Sequence, residues 1–571
     1  MDAQRLTRTR ILLRALAVAL LVPAVLRPPE TYAWSGAVCA ILLASAGWLA
    51  WRSADGAPLL PAWTAGLLPL AGASLLLSSC RARAFDETGL VSTVVLAAIL
   101  GKSIASDRRG REVVAGVLVA LGCIAAVLAV LQAHITYRQE LQSLLEGTAP
   151  VSPYVLARLR DGRPAGPFTL PAALGGFFAL TLPLTLLGRR SLSGRGMRGV
   201  LVAAALLQAY ALFLTRSIGG LAATAVSVSL SLPFLAARRR LLLLAAVALV
   251  VLAAGAHFRH ARSQEFGAPG GDPFLLRAGN WQAAAGMIHD HPLFGTGPGS
   301  FGTFYPRYMR PGMNETRYAH NSYLQVIAGW GVWAIVPLLG VLLAFARRLR
   351  ESWSGRTAEL PYAAAAASFL VHNLMDFTAY LPSVAIPGAL LFGLAFRSSE
   401  TVLVGAVAGP SSPSAGTGWG GGPAVALRAF LLGAALIAFA GHSVVSALAT
   451  DLLDRARAAA VEGSDREALS LARRAARARP SDPAPRAFVA EWVLAHGVSD
   501  GVLSREGRSQ AESAVRLDPE SAILHYDLSL YMRSYRETGA AYREQWIAHV
   551  LFPLKQDYGL PEAVPDRRSE P

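Results

Sequence analysis

The chain of 571 residues is 53% hydrophobic and only 16% charged, with a formal net charge of +16. Soluble chains carry about 25% charged residues, so this composition excludes a soluble enzyme built around one buried core. The positive excess sits in the first 450 residues, 36 basic against 18 acidic, while 451–571 hold 17 against 19; basic charge gathered in short gaps between apolar runs is a membrane-topology signal and argues against nucleic-acid binding as its cause.

Apolar runs long enough for the ~20 residues that a bilayer core requires recur along the chain. They predict thirteen spans, at 11–26, 33–51, 58–79, 88–105, 112–133, 168–187, 199–215, 217–235, 241–257, 322–345, 359–379, 382–396 and 425–447. The first follows Arg5, Arg8 and Arg10 as a signal peptide would, but Pro23, Arg27, Pro28 and Pro29 follow it where a small-residue cleavage site belongs, and it reads as a retained span. Basic clusters at Arg52, Arg108/Arg109/Arg111, Arg189/Arg190/Arg195/Arg198, Arg238/Arg239/Arg240 and Arg347/Arg348/Arg350/Arg356 fall in alternate gaps, which puts them and the N-terminus in the cytoplasm. Arg81 and Arg83 break the pattern, outside, with Asp86 and Glu87 beside them. The gaps 134–167 and 258–321 then lie outside, as does Arg216 at a short turn. In a bacterial cell this places them at the periplasmic face of the inner membrane. Cys39, Cys80 and Cys123 show no metal spacing and no disulfide framework.

Residues 398–424, rich in Gly, Ser and Pro, read as a flexible cytoplasmic linker. The span 425–447 returns the chain to the outside, where 448–571 has the composition of a soluble helical domain. Two segments in it resemble one another, each ending a helix near Asp-Pro, at Asp482-Pro483 and Asp518-Pro519. Their spacing is close to the ~34 residues of tetratricopeptide repeats, and the region is expected to be a TPR-like helical array or a set of ordinary helical hairpins. Either would dock or pack, with a protein partner as one occupant.

The richest chemistry lies between Arg277 and Gly331. No P-loop and no dinucleotide fingerprint accompanies it, so no nucleotide cofactor is expected. His289 and His291 flank Asp290 and would share a face of an extended stretch, but no third ligand follows at a metal spacing. Arg277 and Trp281 stand at i, i+4 on one helical face. They suit an interfacial anchor, and the arginine also suits a bidentate phosphate contact. Gly295 to Gly302, GTGPGSFG, reads as a glycine-rich turn that lets the backbone turn tightly beneath a substrate. His320-Asn321 opens the next span, with Arg317, Tyr318, Tyr323 and Gln325 around it; a histidine titrating near neutrality is the usual base for a hydroxyl.

The run R-x3-W-x8-H-P-L-x-G-x-G-x-G-x-F from Arg277, followed by A-H-N-S-Y-L-Q, resembles the O-antigen ligase/polymerase superfamily. The likeness is specific over 277–331 and looser over about 11–400. The family's ligase pattern H-[NSQ]-x9-G-x-x-[GTY] is met by His320, Asn321 and Gly331, with Ala334 at the last position. Arg163 to Leu184 is similar to a family run before a span through Arg163, Gly166 and Phe168. Leu214 to Gly220 is similar to its Ser-Arg-Gly turn, with Arg216 preceding Ser217. Val371 to Pro382 is similar to a later His-x3-Asp-Phe motif through His372 and Asp376, at i, i+4, a membrane-embedded pair that reads as either functional support or internally satisfied structure.

The resemblance implies an all-α polytopic membrane protein of the membrane C-type glycosyltransferase kind, over 1–400, with the C-terminal soluble helical domain appended. It implies an inverting, metal-independent transfer of a glycan from undecaprenyl-pyrophosphate at the periplasmic face. In that reaction His320 is the base and Arg277 a catalytic cation. Arg163, Arg216 and Arg317, with Asn321 and Trp281, would bind the substrate pyrophosphate, and no cofactor or metal is required. The acceptor is a glycolipid, a second carrier-linked glycan as in a polymerase, or a protein hydroxyl. A polysaccharide transporter or a non-catalytic membrane scaffold is the reading from another class. A transporter should show broken helices with polar residues at mid-membrane and repeated groups of spans, and neither stands out in the sequence.

Overall fold

The computed structural model describes residues 3–53, 67–147, 153–188, 195–230, 253, 255–257, 260, 272–355, 357–396, 423–496 and 501–558. Among the described residues every regular element is helical and none is a strand. Seven helices are long and apolar enough to cross a membrane: Thr7–Leu26, Ala33–Ser53, Arg81–Ile104, Arg108–Glu146, Gly196–Leu214, Val332–Ser354 and Ala426–Val461. Shorter apolar helices at Pro171–Leu186, Ile218–Leu230, Leu360–His372 and Pro382–Leu394 stand at four more of the expected positions. Most of the span expected at 241–257, the first part of 58–79 and nearly all of the linker 398–424 lie outside the described residues. Large apolar side chains such as Leu343 (69% exposed), Phe430 (71%) and Ile437 (75%) face outward on these helices. In water so much bare apolar surface would drive association, whereas in a bilayer it meets lipid. The chain is a multi-pass membrane protein.

Two compact units make up the molecule. The first comprises 1–65, 90–264 and 337–441, the second 66–89, 265–336 and 442–571. In the first, the helix Pro171–Gly188 is central, with Leu174, Phe177, Phe178 and Thr181 fully buried, and it packs on the helices at 108–131, 195–214, 218–230 and 360–372. Helices without a hydrophobic drive between them associate through close backbone approach and satisfied polar groups. Both are present. Thr181 Oγ1 donates to Gln208 Oε1 at 2.9 Å, and Gln208 Nε2 donates to Thr185 Oγ1 at 3.1 Å. A Cβ on Gly101 would stand 2.1 Å from the Leu390 carbonyl oxygen, and one on Gly393 2.1 Å from that of Ala98.

The expected helical face shared by His372 and Asp376 is not formed, because the helix Leu360–His372 ends at the histidine. Asp376 turns back to accept the Phe377 N–H at 2.9 Å. His372 is 1% exposed, lies against the crossing left open by Gly176 and Gly219, and places Nδ1 3.1 Å from Thr378 Oγ1.

In the second unit, the expected span 322–345 is interrupted. A short helix, Ser322–Trp330, ends at Gly331, whose φ of +96° and whose approach to the Leu293 carbonyl oxygen (2.1 Å from an added Cβ) exclude any side chain. The apolar helix long enough to cross a membrane begins only at Val332. The segment 322–330 therefore packs with the polar loop and not as the start of a span.

The C-terminal region is helical as expected, with Asp465–Ala478, Ala484–His496, Gly501–Leu517, Ala522–Ser534 and Thr538–Leu551 in antiparallel succession. Leu452, Leu453 and Ala456, on the extension of Pro423–Val461, share its core with Val489, Val493, Leu528 and Tyr531. The last apolar helix thus runs on to become the first helix of this domain. Gly507 leaves space for Tyr531, whose hydroxyl donates to the Ala490 carbonyl at 2.7 Å and locks one hairpin to the next.

Placing valine at Gly101 or at Gly393 should prevent the two backbones from meeting, at a cost of about 1–3 kcal/mol or more. The folded, monodisperse fraction in detergent size-exclusion chromatography should fall for both, whereas valine at Gly116, which meets nothing within 4 Å, should leave it unchanged.

Candidate active site

The polar loop is a small folded body in the second unit. Asp272 starts its helix Pro273–Asp290 by accepting the N–H groups of Phe274 (2.9 Å) and Leu275 (3.5 Å), with Pro273 at the first helical position, where its missing N–H costs nothing. Ala283, Ala284 and Met287 of that helix bury against Phe301, Phe304, Tyr305, Ala319 and Ala328. Tyr305 donates to Asn280 Oδ1 at 2.8 Å, and burial pushes its phenol up to about 12, so it stays a neutral donor.

The glycine-rich turn packs its backbone on the end of the helix that follows His320. Gly295, Gly297 and Gly299 all have positive φ, and Gly297 N–H and Thr296 N–H donate to the carbonyls of Gly329 (3.1 Å) and Ala328 (2.9 Å). A Cβ on Gly295 would be 2.4 Å from the Gly329 oxygen. The glycines let this turn lie flat on the end of Ser322–Trp330. The seal is a buried carboxylate that the sequence reading noted only as a neighbour of Arg81 and Arg83. Glu87 accepts Gly299 N–H and Trp330 Nε1–H, each at 2.8 Å.

His289 and His291 are not on one face of an extended stretch. His289 is in the last helical turn, with Nδ1 2.9 Å from Asp290, and His291 follows the helix and packs its ring edge on Phe304. His289 and then Tyr308, by hydrogen bonding, hold the Asp290 carboxyl below its ordinary range. Among the described residues no group of three or more His, Cys, Asp and Glu is arranged to hold a metal.

His320 lies at the end of the loop in a left-handed conformation, φ +52°. For a residue with a Cβ this costs roughly 1–3 kcal/mol and persists only where neighbours impose it. They do so on both sides. Ala319 N–H donates to Gln325 Oε1 at 2.7 Å, Asn321 Oδ1 caps the next helix through Tyr323 N–H (3.0 Å) and Leu324 N–H (3.1 Å), and Trp281 Nε1–H reaches the His320 carbonyl at 3.4 Å. Trp281 and Asn321 thus hold the backbone of His320. Arg277 is half-buried one turn before Trp281, and Arg317 is exposed, its backbone pressed on Gly302.

Arg163 and Arg216 belong to the first unit, where Asp161 joins them. Arg216 is 3.3 Å and Arg163 3.8 Å from that carboxylate, and Arg163 Nε–H also donates to the Thr215 carbonyl at 2.8 Å. Arg216 too is left-handed, φ +51°. Among the described residues three non-glycine positions have positive φ, and two of them, Arg216 and His320, are residues singled out from the sequence; the third is Arg536.

The C-terminal helical domain seats itself on this loop. Asp518, fully buried, pairs with Arg83, which also donates to Thr303; Glu520 pairs with Arg307. Arg479 is 2.6 Å from Asp86 and donates to the Ala82 carbonyl at 3.0 Å. Met309 packs on Leu551, Phe552 and Tyr558. Arg83, anomalous as a topology charge, is thereby explained as an ion-pair partner. The Asp518–Pro519–Glu520 corner is itself held by His525, whose Nε2 is 2.9 Å from the Pro519 carbonyl and whose Nδ1 is 2.6 Å from Glu544. Neither acceptor can donate, so the arrangement calls for the imidazolium. Burial opposes that charge, but Glu544 and the Pro519 carbonyl outweigh it and raise the pKa above its ordinary value.

Residues 203–339 match the family model described as O-Antigen ligase. This stretch contains Arg216, Arg277, Trp281, Arg317, His320 and Asn321, and stops short of Arg163, His372 and Asp376. It supports the O-antigen ligase superfamily for the chain and a glycosyltransferase-like activity acting on lipid-linked glycan and acceptor substrates in general. No curated protein matches the chain, and no solved structure does.

Two outcomes follow for the seated domain. Glu520→Arg should loosen residues 301–321, and Arg307→Glu combined with it should restore them; hydrogen exchange of that peptide reads both changes, with about 1 kcal/mol at stake for a partly exposed pair. Because the His525 pKa is raised on folding, its contribution is complete below the unfolded value and is lost as pH rises through the folded one. Thermal stability should therefore fall as pH rises above the ordinary histidine range, by an amount that His525→Gln removes.

Proposed function

We propose that the protein transfers a glycan from an undecaprenyl-pyrophosphate carrier to an acceptor hydroxyl, as an inverting, metal-independent glycosyltransferase of the O-antigen ligase kind. The proposal places the reaction at the periplasmic face of a bacterial inner membrane. The chain would cross that membrane thirteen times, with the N-terminus cytoplasmic and the loop and the TPR-like C-terminal domain outside. The observation that carries this reading is the imposed left-handed backbone of His320, fixed by Trp281, Gln325 and Asn321 in the part of the chain that matches the ligase family. Strain held by several neighbours at a titratable residue is the mark of a site kept for chemistry rather than for packing.

In this mechanism the acceptor O–H gives its proton to His320 as its oxygen attacks the anomeric carbon. The carbon–oxygen bond to the carrier's diphosphate breaks, the configuration inverts and the undecaprenyl diphosphate leaves with the bonding electrons. Arg277 and Arg317 offer planar guanidinium donors to the charge that grows on the diphosphate. Trp281 positions His320 through its backbone, and Asn321 keeps the following helix in register. His372 and Asp376 lie outside the matched stretch and remain packing residues in this mechanism.

A general base contributes about 10²–10⁴-fold. His320→Asn is the informative variant, because asparagine tolerates the left-handed region and removes the base while leaving the backbone in place. Full-length protein in proteoliposomes supplied with carrier-linked glycan should lose transfer by that factor with His320→Asn and with Arg277→Ala, at unchanged insertion. Wild-type transfer by either would overturn the assigned role. Mass spectrometry of the product separates a glycolipid, a longer carrier-linked glycan and a glycosylated protein. Carrier-linked glycan that fails to disappear in the wild-type reaction would favour a transporter or scaffold.

A further inference from the structure

We infer that the first unit carries a binding site for the phosphate headgroup of an anionic phospholipid, between the starts of its helices Ala3–Leu26 and Arg108–Leu131. A recess of about 570 Å³ there is lined by Thr7, Arg10, Ile11, Arg14, Arg109 and Val113. Three guanidinium groups therefore converge on one cavity whose lining has no carboxylate. Asp107 is close by and pairs with Arg14. It is also the residue before the first turn of Arg108–Leu131, where Gly110 leaves it space. Arg10 and Arg109 are exposed, and among the described residues neither forms an ion pair with a carboxylate.

Topology alone does not require this convergence. Arg108, next in sequence to Arg109, shows the ordinary alternative, pointing away into an exposed i, i+4 pair with Glu112 at 2.9 Å. Asp107 offsets Arg14 and also acts on Arg10, but one carboxylate beside three guanidinium groups leaves a positive excess at the recess for an anion to meet. Guanidinium forks match phosphate oxygens bidentately.

The remaining lining says which phosphate. Ile11 and Val113 give the recess an apolar side, and Ile11 and Leu12 are 54% and 53% exposed on the outer face of an apolar helix. A phosphate with an acyl chain attached satisfies the cations and the apolar wall together, while a free phosphate satisfies only the first. Basic pockets between spans are recognised places for anionic headgroups. The recess shares no residue with the site around His320 and does not depend on the proposed reaction.

The test uses full-length protein purified in detergent and offered cardiolipin or phosphatidylglycerol, with phosphatidylcholine as the neutral comparison. Lipid retention is read by native mass spectrometry. Wild-type protein should keep an anionic lipid, and Arg10→Ala/Arg109→Ala should keep roughly tenfold less. Arg108→Ala, which removes one charge from the same helix start as Arg109 but outside the recess and is the one-charge control for Arg109→Gln, should bind as wild type does. Should the double variant fail to fold, Arg109→Gln at an exposed position gives the same comparison with one cation removed. Equal retention by wild type and the recess variants, or an equal loss with Arg108→Ala, would overturn the site. Inorganic phosphate alone is the second arm. If it stabilises the protein thermally as much as the lipid does, and in the same variants, the ligand is free phosphate and the lipid assignment falls.

Discussion

Glu87 is the group on which the geometry of the second unit turns. It is a carboxylate at 7% exposure, and a buried carboxylate is tolerable only when its oxygens are taken up by donors. One oxygen takes the Gly299 N–H and the other the Trp330 indole N–H, so a single side chain ties the glycine-rich turn to the end of the helix that follows His320. With those two fixed, the backbone bonds from Thr296 and Gly297 to Ala328 and Gly329 fall into line. The close approaches at Gly295 and Gly331 become obligatory. The helix Ser322–Trp330 is then anchored at its C-terminal end by this seam and at its N-terminal end by the Asn321 cap, and His320, just before the cap, has no freedom left in its backbone. An apolar residue at position 87 would leave the N–H groups of Gly299 and Trp330 without this acceptor, a loss larger than the net worth of either hydrogen bond.

The parts legible in the sequence are those that obey a period or a charge rule. Apolar length placed the helices, and the i, i+4 spacing of Arg277 and Trp281 placed both on one helix, where they are. Composition and the Asp-Pro pairs marked the C-terminal region as paired helices. What the sequence could not show is whatever depends on distant chain. Glu87 precedes Trp330 by 243 positions, and Arg83 meets Asp518 across 435. No periodicity carries such pairings. The one local sign was that Arg81 and Arg83 stood on the wrong side for a topology signal, and a charge out of place is a charge with a partner. The other misreadings have local causes. Helical continuity was assumed through Gly331 and past His372, but a positive φ ends the first helix, and the turn that follows His372 ends the second.

The C-terminal domain takes on a different meaning once its ion pairs are seen. As sequence it is an appended helical module with a surface for some partner. In the structure part of that surface is already in use. Asp518 and Glu520 engage Arg83 and Arg307, and Met309 enters the core around Leu551, Phe552 and Tyr558. Arg307 lies on the helix Phe301–Tyr308, which also packs on the backbone of Arg317, three residues before His320. The domain is thus a buttress of the loop. Guanidinium–carboxylate pairs add to the apolar contact at Met309 a requirement for one register.

Two of the three left-handed non-glycine residues in the described chain are an arginine and a histidine singled out for chemistry, and the pattern has a physical reading. Packing alone selects against a strained backbone at a side chain that could be replaced by glycine at lower cost. Glycine would relieve His320 and Arg216 alike, yet the chain keeps an imidazole at one and a guanidinium at the other. Under the proposed function, the side chain is what the strain serves, its direction being set by the unusual φ. At His320 the helix cap, the Gln325 carboxamide and the Trp281 indole meet that cost with bonds made to the backbone only, which leaves the direction of the imidazole as what the strain secures.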